Sequence, residues 1–413
     1  MTKETCYNFI EKTFIKYAKI NTRSDENSNK IPSTVGQTHL AKIIYNDLKE
    51  MGCGNVVYDE IDGYVVATLP NNSNKDVAPI GFVAHLDTAD FPADNIKPLV
   101  HRNYDGKDIL LNKAKNIRLT NVEFPHLKNY IGQTLITSDG TTLLGVDDKA
   151  GIAAAVTTIK YFIDNPSKKH GEVSFAFGPD EEIGLGAKRF NVSKFPVSFA
   201  YTLDNGLPGQ IEPETFNAAQ SKVTIKGTAV HPGNAYKTMV NAITIANEII
   251  SKLPKNEVPE NSKGRDGFFL VTSFQGSISE VNINIIVRDF DNENFIRKKE
   301  LLKQIIKEIS EVYPHRINLS LRNQYENIYS FIQKNPYIVD LVLKSYHDLN
   351  LTPNIHPFRG GTDGNFISKK GIPTPNLFNG GENFHGPYEF ITTENMLLTY
   401  NTIKTIIINH FNN

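Results

Sequence analysis

Cysteine is nearly missing from this chain: Cys6 and Cys53 are the only two in 413 residues. Two thiols so far apart exclude a disulfide framework, a zinc knuckle and a redox pair, and reduced thiols point to a cytoplasmic location. Long apolar runs are missing too, since no segment approaches the roughly 18 apolar residues of a membrane span. Neither charge is in surplus, with Lys plus Arg at 44 against Asp plus Glu at 45. Nothing therefore draws the chain as a whole to nucleic acid or to a membrane. Neither G-x-S-x-G nor a Walker-type loop occurs, which leaves serine-hydrolase and nucleotide-binding readings without support. The opening stretch MTKETCYNFIEKTFIKYAKI is interrupted by charges and followed by no small-residue cleavage site. It reads as an amphipathic helix rather than a signal peptide.

What is present is a repeated layout of short apolar runs ending in acids. PIGFVAHLDTAD, EVSFAFGPDEE and VSFAYTLDNG are each too apolar for a strand with one wet face, so they suit a sheet covered by helices. Between the first two, DDKAGIAAAVTTIKYFIDN repeats Ile152, Val156, Ile159 and Ile163 at helical spacing. The expected fold is α/β, a mixed, mostly parallel sheet sandwiched by helices. In such sheets ligands gather beyond the carboxyl ends of the strands, where His85, Asp87, Glu181, Glu182 and Asp204 fall.

The length alone favours more than one domain. After residue 213 the order becomes strand, helix, strand, strand, helix, strand, the ferredoxin-like sequence of elements. The expected division is 1–213 and 325–413 for a catalytic domain and 214–324 for an inserted ferredoxin-like α+β lid domain. The polar stretch 255–267 reads as an exposed loop.

His85 and Asp87 of AHLDTA stand two apart at a strand end and so leave on the same face. In that arrangement a histidine binds a metal through one ring nitrogen while a carboxylate accepts the proton of the other. Asp147 and Asp148 of GVDDKAG sit at a helix start, where capping accounts for one of them; the other has two oxygens with which to bridge two cations. YTLDNG adds Asp204, and His385 lies in the Gly-rich GGENFHGPYEF. Other histidines, among them His39, His126, His170 and His410, are read as packing or surface residues. Two histidines and three carboxylates, one of them shared, give each of two zinc ions three protein ligands with room for a water between them. One acid of the Glu181–Glu182 pair is then left to take a proton from that water.

Taken together, AHLDTA, GVDDKAG, GPDEEIG, YTLDNG, VHPG, RDFD, RGGTDG and NFHG resemble the peptidase T family. These aminotripeptidases stand among the dizinc hydrolases related to aminoacylase and acetylornithine deacetylase. The resemblance runs from about residue 5 to 410 and implies a zinc-exopeptidase-like fold. It implies that His85, Asp147 and Asp204 hold one zinc and Asp147, Glu182 and His385 the other. Glu181 is then the general base and Asp87 the residue that orients His85, with a cis peptide bond after Asp147. His231 of VHPG would stabilise the oxyanion, and Arg288 and Arg359 would face the peptide's terminal carboxylate. Gly178 departs from the family pattern, where Thr is usual, and so does Asn205, where Gly is usual.

The implied activity is release of the N-terminal residue from tripeptides by Glu-assisted attack of a zinc-bound water on the first peptide bond. Cobalt or manganese suit the same ligands. Short peptides are the expected partners, with a homodimer compatible and neither nucleic acid nor membrane expected. The alternatives are a dizinc N-acyl amino acid deacylase and a catalytically inactive binding protein on the same scaffold.

Overall fold

A computed structural model describes residues 3–204 and 206–413; Asn205 lies outside the described residues. The chain separates into two compact units, one of residues 1–213, 330–356 and 362–413, the other of 214–329 and 357–361.

The larger unit is built on an eight-stranded mixed sheet. At its centre Ile80–His85 lies parallel to both Val173–Gly178 and Phe199–Thr202, with His85 level with Gly178. All three strands are buried on both faces, and this is why their sequences read as unbroken apolar runs. Alternate residues serve different cores. Phe82, Phe175, Phe177 and Tyr201 pack against the long helices on one side, while Val83, Ala176 and Ala200 meet Phe190, Phe195 and Ile367 on the other. The helix Val146–Asp164 is buried nearly all round, with Ile152, Ala153, Ala154, Ala155, Val156 and Ile159 inaccessible, as befits a helix lodged between the sheet and other helices.

A small three-stranded sheet does the positioning. Phe390–Thr392 runs antiparallel to Leu135–Thr137, with Phe390 opposite Thr137. Adjacent strand ends place the chain leaving residue 137 beside the chain entering residue 390. The loops carrying Asp147 and His385 are thereby drawn together across more than two hundred residues of sequence.

The second unit is a four-stranded antiparallel sheet in the order Phe268–Gly276, Glu280–Asp289, Asn217–Lys226, Ile317–Tyr325. The helices Ala242–Lys252 and Asn292–Val312 complete the ferredoxin-like order. Strict alternation along Glu280–Asp289 sends Val281, Ile283, Ile285 and Val287 into the core with Ile245, Ile249, Leu302 and Ile305. Asn241 and Asp291 cap the two helices by accepting from Ile243 N at 2.9 Å and Asn294 N at 2.8 Å.

The unit boundaries differ from the expected ones at the C-terminal side. The second unit runs to Tyr329 rather than 324 because Asn327 ties its end down, bonding Glu214 Oε1 at 3.0 Å and Phe290 O at 3.0 Å. Residues 357–361, expected in the catalytic domain, also belong to the second unit. Phe358 N donates to Glu214 O at 2.8 Å, and Phe216 N donates to Gly360 O at 3.2 Å. Among the described residues no helix is long and apolar enough to cross a membrane, and both cysteines are free and buried.

Candidate metal centre

The carboxyl ends of the central strands of the larger unit hold a cluster of acids around two histidines. Asp147 is its pivot. Its Oδ1 lies 2.8 Å from His85 Nε2 and its Oδ2 3.1 Å from His385 Nε2. His85 Nε2 is also 4.0 Å from Asp204 Oδ1, and His385 Nε2 is 3.1 Å from Glu182 Oε1. Ligand atoms sharing one tetrahedral ion with bonds of about 2.1 Å sit roughly 3.4 Å apart, and these separations bracket that figure. Two donor triads close to within 4.8 Å: His85, Asp147 and Glu182, and His85, Glu181 and Asp204. The buried Glu182 Oε1 faces His385 Nε2, and a carboxylate oxygen beside a ring nitrogen is a donor pair that suits a cation. Nitrogen and carboxylate donors at this spacing fit a pair of divalent ions.

The resemblance-implied sets, His85–Asp147–Asp204 and Asp147–Glu182–His385, are both brought together around Asp147. The peptide bond from Asp147 to Asp148 is cis. Asp148 turns the other way, where its Oδ1 accepts Gly151 N at 3.2 Å and Asn379 Nδ2 at 3.3 Å. It is the acid that serves the helix start.

Asp87 does two things. Its backbone carbonyl is 3.0 Å from His85 Nδ1 and its Oδ1 3.5 Å. Its carboxylate also accepts the backbone amides of Glu181 at 2.9 Å and Glu182 at 3.1 Å. The turn that delivers both glutamates is thus pinned to the strand that delivers His85. Asp180, in the same turn, is fully buried and bonded to Ser33 N, Gln37 Nε2 and Arg189 Nη1. Gly178 also has a local reason: a Cβ there would stand 2.1 Å from the Tyr64 ring. Tyr64 occupies the space that a larger residue at 178 would need.

The electrostatics follow from crowding acids in a dry place. Burial, followed by neighbouring acids, pushes Asp204 well above its ordinary range. Burial, reinforced by Asp363 and Glu182, does the same to Glu181 despite an opposing influence from His85. Burial also raises Glu182, against the hydrogen bond from His385. For Asp147 burial acts upward, but the charges and hydrogen bonds of His85 and His385 outweigh it and hold it below the usual carboxylate range. His385 is raised to about 11 by its hydrogen bonds to Asp147 and Glu182. The cluster is electrostatically short of positive charge.

His231, Arg288 and Arg359 lie in the second unit. His231 is exposed, and its Nδ1 accepts Gly233 N at 3.1 Å, so the neutral ring carries its proton on Nε2. Arg288 donates to Ala219 O at 3.1 Å and Val287 O at 3.0 Å and stands over the Tyr325 ring. Arg359 donates to Gly264 O at 2.7 Å and Asp266 O at 3.0 Å, over the rings of Phe216 and Phe268. Phe268 is also the cross-strand neighbour of Arg288.

Three residues around the centre escape a reading of the sequence. Asn376 holds Asp204 by its backbone, accepting Asp204 N at 3.1 Å and donating to Asp204 O and, at 2.8 Å, to Glu212 Oε2. Asp363 lines a small void with His85, Glu181 and Asp204. Glu389 accepts three backbone amides of the Asp147 loop. Asp363 and Glu389 stand inside RGGTDG and GGENFHGPYEF without residue types that advertise these roles, and Asn376 stands outside the motifs. A cavity of about 870 Å³ opens beside His385 and Glu182, walled by Arg23, Asp25, Glu26 and Asp90.

An α/β sheet that gathers two histidines and several acids beyond its strand ends is a scaffold for metal-dependent hydrolysis. Residues 137–409 match the profile of Peptidase family M20/M25/M40. The chain belongs to that family, within its peptidase T group, and is a peptidase. It is 47% identical over 402 residues to the Peptidase T of Fusobacterium nucleatum, covering 97% of each chain. Among solved structures it is similar to a tripeptidase from Staphylococcus aureus, with a TM-score of 0.81, 22% identity and coverage of 98% and 99% of the two chains. A dinuclear metal binding peptidase of the M20 family from Bacillus subtilis matches with a TM-score of 0.68 and 16% identity, over 99% of each chain. At these identities the structural matches speak to the fold.

Proposed function

We propose that the protein is a dizinc aminopeptidase that releases the N-terminal residue from tripeptides. The observation that carries this reading is Asp147, whose two oxygens face two different histidines, with Glu182 and Asp204 completing the two sides. His85, Asp147 and Asp204 would hold one ion and Asp147, Glu182 and His385 the other. Zinc suits these donors, as do cobalt and manganese. When bound, the ions would supply Lewis acidity toward the attacking water and the scissile carbonyl.

The chain supplies the rest. Glu181, which shares its turn with a ligand but is bonded through its own backbone to Asp87, takes the proton of the attacking water and passes it to the leaving amine. Burial favours its protonated form, so positive charge beside it is what makes it available as a base. Asp87 keeps His85 and the glutamate turn in fixed relation. His231, with a free Nε2–H donor, is assigned to the oxyanion, and Arg288 and Arg359 to the peptide's terminal carboxylate. Relatives named Peptidase T and a structural neighbour named a tripeptidase support the choice of substrate.

The test is hydrolysis of matched di-, tri- and tetrapeptides with and without chelator. A rate maximum at three residues that chelation abolishes is expected. Equal rates across lengths, or indifference to chelator, would overturn the reading. N-acetylation of the tripeptide should block cleavage, whereas a deacylase would accept the acetylated substrate.

A further inference from the structure

Glu389 is 2% exposed, and both of its oxygens are committed to backbone. Oε2 accepts Leu144 N at 2.8 Å and Gly145 N at 2.7 Å, and Oε1 accepts Asp147 N at 3.1 Å. It belongs to neither donor triad. Resting on the dimetal reading above, we propose that Glu389 is the positioning residue for the bridging acid, fixing where the Asp147 carboxylate stands before any ion arrives.

Three features make this more than a buried acid finding partners. The amides that converge on Glu389 come from the four residues that end at Asp147, so the carboxylate acts as the template for that bend. The bend is built to turn inward: Gly145 has φ +83°, and a Cβ there would stand 3.1 Å from Lys149 Nζ and 3.4 Å from Thr88. Glu389 is also joined to the other ligand loop. Its own amide donates to Gly386 O at 3.4 Å, one residue beyond His385, and the next residue begins the strand paired with Leu135–Thr137. One side chain therefore sets the register between the loop bearing Asp147 and the loop bearing His385.

The geometry makes Gln an incisive substitution. Gln has nearly the shape of Glu but offers one acceptor oxygen and one NH₂. Whichever way it turns, either the Asp147 amide or the Leu144 and Gly145 amides face another donor.

The experiment titrates the metal-free parent and E389Q with Co²⁺, by calorimetry and by visible absorption, alongside thermal unfolding of both chelated proteins. The expected result is a folded variant whose cobalt affinity falls about 10- to 100-fold with an altered absorption band. A folded variant with the parent's affinity and spectrum, whatever its metal-free Tm, would show a purely structural role and overturn the inference alone. A parent that takes up no cobalt would overturn the dimetal reading itself. If E389Q does not fold, amide exchange in the parent decides. The amides of Leu144, Gly145 and Asp147 are expected to be protected already in the metal-free protein. Fast exchange that slows only on cobalt binding would show that the metal orders the loop.

Discussion

The two units treat buried charge in opposite ways. In the ferredoxin-like unit Lys298 is 3% exposed, but it meets Glu257 and, at 3.4 Å, Asp289. Glu214, also buried, receives Arg265 at 2.7 Å and Asn327 at 3.0 Å. In the larger unit Asp147, Glu181, Glu182 and Asp204 crowd around two histidines. This is not a general habit of that unit, because Asp180, one residue before Glu181, is saturated by Ser33, Gln37 and Arg189. A fold needs its buried charges paired. Where a sheet leaves acids short of positive charge at its strand ends, the missing charge is the functional ligand.

That contrast can be broken at several points. The largest effect is expected at the proposed base: Glu181→Gln should lower kcat by about 10²- to 10⁴-fold with metal content unchanged in elemental analysis. A variant that cleaves a tripeptide at the parent rate would remove Glu181 from the mechanism. Next comes a pair that belongs to the fold. Lys298→Met should cost about 3 kcal/mol in urea unfolding because Glu257 and Asp289 lose their counter-charge, while metal content stays that of the parent. A smaller shift is expected from metal itself. Zinc held at a hundred times its dissociation constant should stabilise the protein by about 2.7 kcal/mol, read as a rise in Tm that chelator reverses; an unmoved Tm would mean that the acids are not a cation site.

The smallest effect lies behind Asp204, at Glu212. Burial raises this acid from 4.5 to about 7, against the hydrogen bond from Asn376. The folded state then binds the proton more tightly than the unfolded state does. The stabilisation this gives is fully present below about pH 4.5 and is lost as pH rises through about 7. Glu212→Gln should therefore flatten the stability profile between pH 6 and 8 by about 1 kcal/mol. Parallel profiles for parent and variant in chemical denaturation would dismiss the shift.

How much of this is legible in the sequence depends on the range of the forces involved. The strands ending at His85, Gly178 and Thr202 are legible because burial on both faces writes an unbroken apolar run. The ferredoxin-like order is legible because helix and strand periods alternate cleanly from Asn217 to Tyr325. The division of labour between Asp147 and Asp148 is not, since either acid suits a helix start until Gly151 and the two histidines take their places. Residues 357–361 read as part of a Gly-rich stretch of the catalytic domain. Their hydrogen bonds to Glu214 and Phe216, with those of Arg359 to Gly264 and Asp266, assign them to the other unit. Glu389 and Asn376 stay silent because they act on backbone groups, and backbone groups are the same at every position in a sequence.

The pairing of Phe390–Thr392 with Leu135–Thr137 has a consequence for how the protein is made. Synthesis runs from the amino terminus, and His85, Asp147, Glu182 and Asp204 all precede the inserted unit, whereas His385 and Glu389 follow it. On a growing chain the central strands and the inserted unit, compact in itself, are made before the second histidine. The fifth donor is made only after the whole of the inserted unit. The centre is thus completed after the sheet that carries it, and a chain that stops before residue 385 carries most of the donors without the clasp that brings them together.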